Sequence, residues 1–379
     1  MQAVLESVAE EAGAAFHVPD GPEGLAGHYD LTISHPAVHE PRFAAFEGWL
    51  ARAAAEFGLS CGLIHDGVVH EAIRRLDEGR LAVGFHLDYF ALWHRPDDPY
   101  ARLAVAVQDA GGHPVNLPAR ARAFTDKASA HAELVRRGLG VPPTVVLRPW
   151  AAERALSAAE WRRLRLDEPG ACAYVKAANG FGGRGVVRVE QPDAGRLAAA
   201  VAEVRRQAPG DACLVQRAVT PPLLACEDGT PRPAYWRVLD CLGERTAFWW
   251  QPPERVGPGR PSYRAVTPAE LRRHRLQPLL DFARDLAGLS GLGWFSTELC
   301  LGDGHDGSRY AVTGADGRER PVLAIDYVND QCDVDVQSRW AGAPPDDAVR
   351  RAAARFAEAA WQVRQKALRP ASVVSLRAA

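Results

Sequence analysis

The chain has 379 residues, of which 47% are hydrophobic and 24% are charged, and its formal net charge at pH 7 is −2. This composition is typical of a globular protein and excludes a disordered chain, a collagen-like repeat and a coiled coil. The near-neutral charge provides no strong field for nucleic acid or an anionic membrane, so we expect neither partner. At about 150 residues per domain, the length predicts two or three domains.

The N-terminus and the cysteines favour a cytoplasmic protein. The N-terminal segment MQAVLESVAEEAG is acidic and lacks the apolar run of a signal peptide. No stretch of about 18 residues is apolar enough to predict a membrane span. The seven cysteines are odd in number, scattered and without a CxxC pair. This usage predicts reduced, buried thiols rather than a disulfide framework or a zinc site.

Residues 1–117 alternate between helix and strand patterns. Helical periodicity over 41–57 is followed by a short apolar segment, SCGLIHDG, that predicts a strand and a turn. The segments VVHEAIRRLDEGR, LAVGFHLDYFALWH and DPYARLAVAVQDAGG then predict a helix, a buried strand and a second helix. This alternation predicts a small α/β domain.

The pattern changes after residue 117. We assign 118–214 to a second domain, with two short helices, the extended segment VPPTVVLRPW, and two strands that flank the glycine-rich segment GFGGRG. We assign 215–379 to a third domain. It contains the strand-rich segments YWRVLDCLGERTAFWW, GWFSTELCLG and PVLAIDYVND and a C-terminal amphipathic helix.

The glycine-rich segment fits the pattern GxGxxG, with glycines at 180, 182, 183 and 185. A strand follows it instead of a helix, which excludes a dinucleotide-binding unit. The kinase motifs HRD and DFG and the Walker motif are absent. Glycines allow backbone N–H groups to approach phosphate, and Lys176 just upstream supplies a compact positive charge. A phosphate-binding hairpin is therefore the leading hypothesis, with an ordinary glycine turn as the alternative.

Carboxylates lie in two of the predicted strands near the C-terminal end. Glu298 lies in STELCL, and Asp326 and Asn329 lie in IDYVND. If these strands are neighbours, the two carboxylates and the amide converge as hard oxygen ligands that suit Mg²⁺. Two strand-end acids facing solvent are the alternative. Both acids lie in apolar runs, where an unpaired charge is costly, and this favours the metal site.

These motifs, in this order, resemble the ATP-grasp superfamily over about 115–340. TDKASAHAELVRRGLGVPPTVV resembles its first-lysine helix, and AYVKAANGFGGRGVVRV resembles its second lysine and glycine loop. CLVQRAV resembles the hinge strand, TEL and IDYVND the metal strands, and YWRVLDCLGERTAF the strand pair of the ribosomal-protein glutamate ligase branch. Two of only three lysines, Lys127 and Lys176, fall on the two expected lysine positions. The resemblance implies an N-terminal pre-ATP-grasp α/β domain and two subdomains that sandwich ATP.

The resemblance also implies roles for individual residues. Lys127 and Lys176 would contact phosphates, under a loop closed by Gly182, Gly183 and Gly185. Gln216 would face the adenine amino group, Arg217 and Val219 would offer backbone contacts, and Glu227 or Asp228 would take the ribose. Glu298, Asp326 and Asn329 would hold two Mg²⁺ ions. Asp326 and Asn329 are three residues apart rather than the usual two, so either a β-bulge restores the geometry or Asp330 or Asp333 is a ligand.

Arginines complete the expected site. Arg237 lies in an otherwise apolar strand and needs an anionic partner, which we expect to be the γ-phosphate or an acyl phosphate rather than a structural ion pair. Arg255 and Arg264 lie in QPPERVGPGRPSYRAV, which is either a lid that binds an acidic substrate or a solvated loop. His86, Asp88 and His94 alternate with apolar residues, so they either line a substrate cavity or play a structural role.

The implied activity is that of an ATP-dependent ligase, with ATP and Mg²⁺ as cofactors. It would convert a carboxylate into an acyl phosphate and couple it to an amine, releasing ADP and phosphate. The expected substrates are a small-molecule acid and amine, amino acid or peptide, in bacterial small-molecule or natural-product biosynthesis. A small-molecule kinase, a nucleotide-binding pseudoenzyme and a peptide-modifying ligase are the alternatives, and a homodimer is the default oligomeric state.

Overall fold

The computed structural model of the protein describes residues 16–37, 40–149, 155–180, 185–251, 262–303, 307–314, 316–330, 332 and 346–368. The chain divides into two compact units. The described residues up to Pro118 and the C-terminal helix form unit 1, and the described residues from Ala119 to Cys332 form unit 2. No helix in the described ranges is long and apolar enough to cross a membrane.

Unit 1 contains a parallel sheet of five strands in the order β1-β3-β2-β4-β5. The strands are β1 (Phe16–His17), β2 (His28–Ser34), β3 (Cys61–Ile64), β4 (Ala82–Asp88) and β5 (His113–Val115). The helices between them are α1 (Glu40–Glu56), α2 (Val69–Asp77) and α3 (Pro99–Asp109). Strands β2 to β4 are mostly buried, as expected for parallel strands that are covered on both faces. Strands and helices therefore alternate in the described part of 1–117, as in the α/β pattern that the sequence predicts.

The C-terminal helix belongs to unit 1, and its assignment to a third domain over 215–379 is wrong. This helix, which we number α10 (Asp346–Leu368), packs against α1, β2 and β4. Phe356 of α10 contacts Phe46 of α1 and Phe85 of β4, with ring centroids 6.0 and 6.4 Å apart. The helix therefore completes the core of a domain that lies more than 200 residues earlier in the sequence.

Unit 2 begins with a four-stranded antiparallel sheet of order β6-β9-β7-β8. Its strands are β6 (Thr144–Leu147), β7 (Cys172–Ala177), β8 (Val186–Glu190) and β9 (Cys213–Arg217). The helices of this part are α4 (Pro118–Thr125), α5 (Lys127–Arg136), α6 (Ala158–Arg163) and α7 (Ala194–Gln207). Apolar residues of α7 and the strands form one core, including Val175, Val204 and Val215. The predicted boundary after residue 214 falls inside β9, so this sheet extends three residues further.

The second part of unit 2 is a six-stranded antiparallel sheet of order β14-β13-β12-β15-β17-β16. Its strands are β12 (Tyr235–Cys241), β13 (Glu244–Gln251), β14 (Ser262–Ala265), β15 (Trp294–Leu301), β16 (Ala311–Thr313) and β17 (Glu319–Asn329). A ribbon of β10 (Leu223–Ala225) and β11 (Pro231–Pro233) precedes it, and helices α8 (Pro268–Arg273) and α9 (Gln277–Ser290) follow β14. The two sheets provide the two layers expected of the fold.

Candidate active site

A β-bulge brings the three predicted metal ligands onto one face of the six-stranded sheet. Strand β15 pairs with β17 through Ser296–Asn329 and Glu298–Asp326, and the register shifts between these pairs. Residues that pair across strands share a face, and so do residues two apart on one strand. The bulge therefore absorbs the extra residue between Asp326 and Asn329, and Glu298, Asp326 and Asn329 lie together.

The two predicted phosphate-binding lysines point toward β17. The Lys127 ammonium donates to the Gly180 carbonyl at 2.7 Å and lies 3.5 Å from Asp326 Oδ1. The Lys176 ammonium donates to Gln216 Oε1 and to the Ile325 carbonyl, both at 2.8 Å. Burial lowers the pKa of Lys176, although the nearby carboxylates of Asp326 and Glu298 oppose this effect. Two cationic groups from different elements thus converge beside the carboxylates.

Arg237 faces the same group of side chains from β12. It is opposite Glu298 in the strand register and forms an ion pair with its carboxylate. The guanidinium also lies 5.9 and 5.8 Å from the ring centroids of Trp250 and Tyr263. Burial disfavours the charged guanidinium, but the adjacent Glu298 raises the pKa of Arg237 above its ordinary value. Burial also raises the pKa of Glu298, with Arg237 opposing this effect and Asp326 adding to it.

The donor set fits Mg²⁺ that shares its coordination with phosphate. Within the described ranges, no group of three or more His, Cys, Asp or Glu side chains forms a metal site of protein ligands alone. Asp326 Oδ1 is buried and accepts no hydrogen bond from the described residues, although the Lys127 ammonium lies 3.5 Å away as an ion-pair partner. It therefore has free acceptor capacity, and carboxylate oxygen is the donor that Mg²⁺ prefers. Glu298, Asp326 and Asn329 are the residues that would hold the ion, with its remaining ligands supplied by phosphate and water.

The side chain of Gln216 differs from our expectation. It is 2% exposed, and its amide group donates to Thr144 Oγ1 and the Tyr327 hydroxyl while accepting from Lys176. All its polar atoms are thus engaged inside the protein. Gln216 therefore holds Lys176 in place, and its amide oxygen keeps one further lone pair for another donor.

Beyond Gln216, the segment 217–219 combines a fixed side chain with an apolar surface. Arg217 forms an ion pair with Glu168 at 3.0 Å. The N–H groups of Arg217 and Ala218 donate to the carbonyls of Pro143 and Cys172, both at 2.9 Å. Val219 packs against the buried cluster of Tyr235, Cys300 and Leu323, and the Tyr235 hydroxyl donates to its carbonyl at 2.9 Å. The result is an apolar surface at Val219, which suits the face of a purine.

Glu270, which the sequence analysis missed, organises the region of the predicted ribose ligand Glu227. It is 1% exposed and accepts hydrogen bonds from the Glu227 N–H at 2.7 Å and from Trp249 Nε1 at 3.0 Å. It also forms an ion pair with Arg264. The sequence signal was the Thr267–Glu270 capping box at the start of α8, which usually indicates a helix cap alone.

Some predicted site residues fall outside the described ranges. They are Gly182, Gly183, Arg255 and the alternative metal ligand Asp333. Gly185, at the base of the loop, is described. Its φ of +69° lies in the left-handed region, and an added Cβ would lie 3.1 Å from Ala177 Cβ, so a glycine is required there.

In unit 1, the polar residues of β4 have structural partners. The His86 ring is fully buried, and Thr32 Oγ1 and Ser34 Oγ lie 2.8 and 3.3 Å from its two nitrogens. Burial lowers the pKa of His86 to about 3. Asp88 accepts from the N–H groups of Phe90 and Ala91. These contacts favour the structural alternative for His86 and Asp88 over the lining of a cavity.

Comparisons with known proteins show what the chain resembles. No protein-family model and no curated protein matches the sequence. Among solved structures, the D-cycloserine synthetase DcsG has a TM-score of 0.54 and 19% identity, covering 87% of this chain and 99% of that chain. The D-alanine–D-alanine ligase of Bacillus anthracis complexed with ATP gives 0.58 and 11%, covering 90% and 100%. The ATP-grasp ligase PsnB, complexed with a phosphomimetic variant of its minimal precursor, Mg and ADP, gives 0.52 and 13%, covering 88% and 98%. At these identities a shared fold is what the comparisons show: the chain has the fold of the ATP-grasp superfamily.

Proposed function

We propose that the protein is an ATP-dependent ligase that couples a carboxylate to an amine through an acyl phosphate. The observation that carries the proposal is the convergence of Lys127, Lys176 and Arg237 on the paired carboxylates of Glu298 and Asp326. Three cations and two oxygen ligands on one face suit the handling of a triphosphate with its metal. The structural likeness to ligases that act on small molecules supports the proposal.

The nucleotide would lie along this face of the sheet. The apolar surface at Val219 binds the base, and Glu227 binds the ribose. Lys127 and Lys176 bind phosphate oxygens. Glu298, Asp326 and Asn329 would hold two Mg²⁺ ions, and bound Mg²⁺ would neutralise charge on the transferred group. In this arrangement Gln216 positions Lys176.

The reaction then proceeds in two displacements. An oxygen of the substrate carboxylate attacks the γ-phosphorus, the bond to the β-phosphate oxygen breaks, and ADP leaves. The amine attacks the acyl carbon, the carbon–oxygen bond to phosphate breaks, and phosphate and a proton are released. Arg237 stabilises the negative oxygens of these states, and Arg255 binds the acidic substrate. The residues act by positioning and electrostatics and need no nucleophilic side chain.

The neighbours favour two kinds of substrate. DcsG is a D-cycloserine synthetase and the Bacillus anthracis enzyme is a D-alanine–D-alanine ligase, so both names indicate small molecules, whereas the PsnB complex contains a precursor. We therefore propose an amino acid or a peptide as one substrate, in bacterial biosynthesis in the cytoplasm. A small-molecule kinase would use the same nucleotide site, but it would retain the phosphate on its product.

Product analysis tests the proposal. The protein is incubated with ATP, Mg²⁺ and a pool of amino acids, short peptides and amines, and ADP, free phosphate and new masses are measured together. A ligase forms ADP and phosphate in equal amounts with a new amide. ADP without free phosphate, together with a phosphorylated product, would establish a kinase instead.

Variants tie the activity to this site. Lys176→Ala and Glu298→Gln should abolish ADP formation. Lys366→Ala is the matched control, because this third lysine is exposed on α10 of the other unit. Turnover near the wild-type rate in both site variants would refute the assignment.

A further inference from the structure

The Ser296 hydroxyl is a buried polar group next to the candidate active site. Ser296 lies on β15, is 1% exposed, and its Oγ atom makes no hydrogen bond within the described structure. Burying a hydroxyl without a partner is unfavourable, and such groups are uncommon in native proteins. Ser296 lies two residues before Glu298, so both side chains point to the same face. An unpaired donor therefore lies next to the predicted metal ligands.

The strand register gives the direction in which the nucleotide extends. On this face of the sheet, every second residue of β15 has one cross-strand neighbour on β12 and one on β17. Three such rows follow one another along the strands, about 7 Å apart. They are Tyr235–Cys300–Leu323, Arg237–Glu298–Asp326 and Leu239–Ser296–Asn329. The first row packs against Val219, where the base would lie, and the second row contains the metal-binding carboxylates. The third row is therefore where the end of the triphosphate would lie.

We propose that the Ser296 hydroxyl donates a hydrogen bond to the terminal phosphoryl group of ATP and to the acyl phosphate formed from it. The inference rests on the proposed function, since it places the nucleotide in the same site. A hydroxyl donor to a charged phosphate oxygen forms a strong, charge-assisted hydrogen bond. Its row neighbour Asn329 is partly exposed, so a ligand can approach this row from the side of β17. The small side chain also leaves room for the substrate carboxylate beside the phosphoryl group.

Binding measurements with two nucleotides test this contact. We would titrate wild type and Ser296→Ala with Mg²⁺ and either AMPPNP or ADP by calorimetry, because only AMPPNP carries the third phosphorus. The affinity for AMPPNP should fall about tenfold, equivalent to about 1.4 kcal/mol, while that for ADP should stay within twofold. The thermal midpoint of the free variant should be unchanged or raised, because the removed hydroxyl has no partner to lose.

Ser290→Ala is the matched control. Its hydroxyl is also buried, but it donates to the Ala287 carbonyl and accepts from the Leu292 N–H. This variant should lower the thermal midpoint and leave both affinities unchanged.

Each outcome decides between the hypotheses. Equal losses for AMPPNP and ADP, or no loss for either, would overturn the role of Ser296 but leave nucleotide binding intact. A lower thermal midpoint of free Ser296→Ala would also overturn it, because the hydroxyl would then have a structural partner. If wild type binds neither nucleotide, both the role and the proposed function are refuted.

Discussion

The ion pair between Arg237 and Glu298 allows a test of how the site balances stability against function. The two side chains are 14% and 11% exposed, so both charges are largely removed from water. We would replace each by Met, singly and together. Met has a similar length and is apolar, so the double variant can fill the space without leaving a buried charge.

The magnitude follows from desolvation. Removing one partner of a buried pair leaves an uncompensated charge and costs about 3–5 kcal/mol. For Glu298→Met we expect about 3 kcal/mol, since the rings of Trp250 and Tyr263 still flank the guanidinium. Arg237→Met leaves the Glu298 carboxylate buried beside Asp326 without its cation. The loss of stability should be similar, because protonation of a carboxyl removes part of the buried charge. The double variant should be as stable as wild type or more stable by about 1–4 kcal/mol.

Urea unfolding measures these differences. The chain has ten tryptophans. Trp236 lies on β12 with Arg237, and Trp249 and Trp250 lie on the neighbouring strand β13, so fluorescence should report the unfolding of this sheet. All three variants should lack ATP turnover, because the site has lost a metal ligand or its arginine. A double variant that is destabilised by the sum of the two single losses would refute the reasoning, since the two charges would then not be coupled.

Two further changes have expected outcomes. Burial lowers the pKa of His86 to about 3 from an ordinary 6.5, so only the unfolded chain gains this proton as the pH falls. From pH 7.5 to pH 5 wild type should therefore lose about 2 kcal/mol more unfolding free energy than His86→Gln, as measured by urea titration at both pH values. Equal losses would mean that His86 titrates normally in the folded protein. Gly185→Ala should weaken nucleotide affinity and lower stability by about 1 kcal/mol or more, because its φ of +69° is strained for alanine. Gly210→Ala has a similar φ outside the site and should match the stability loss without affecting nucleotide affinity.

Much of the site could be predicted because its chemistry depends on residue types that are conspicuous in this chain. Lysine is so rare here that Lys127 and Lys176 stand out, and Arg237 is the cationic residue of a mostly apolar strand. The carboxylates were identified in the same way, by their position within apolar runs. The three-residue spacing of Asp326 and Asn329 indicates a β-bulge as one of two alternatives. The strands have a register shift at this point, because a sheet can absorb one extra residue.

Other features depend on long-range contacts that a sequence pattern does not contain. The amphipathic pattern of α10 predicts a helix but not which core it covers, and it lies against α1 rather than the adjacent domain. The partners of Gln216 come from three segments, at Thr144, Lys176 and Tyr327, so its orientation is a tertiary property. Glu270 likewise has two partners distant in sequence, Glu227 and Trp249, whereas its local pattern indicates only a helix cap.

The hydrogen bonds of Lys176 have a mechanical consequence. The ammonium belongs to the four-stranded sheet, and one of its acceptors, the Ile325 carbonyl, belongs to the six-stranded sheet. In the free protein, the Lys176 ammonium therefore forms a hydrogen bond between the two sheets, and the same group would bind the nucleotide. A phosphate that draws the ammonium away from Ile325 would break this hydrogen bond and weaken the contact between the sheets when the nucleotide binds. Departure of the product would allow the hydrogen bond to form again, so that filling and emptying of the site would be coupled to the motion between the sheets.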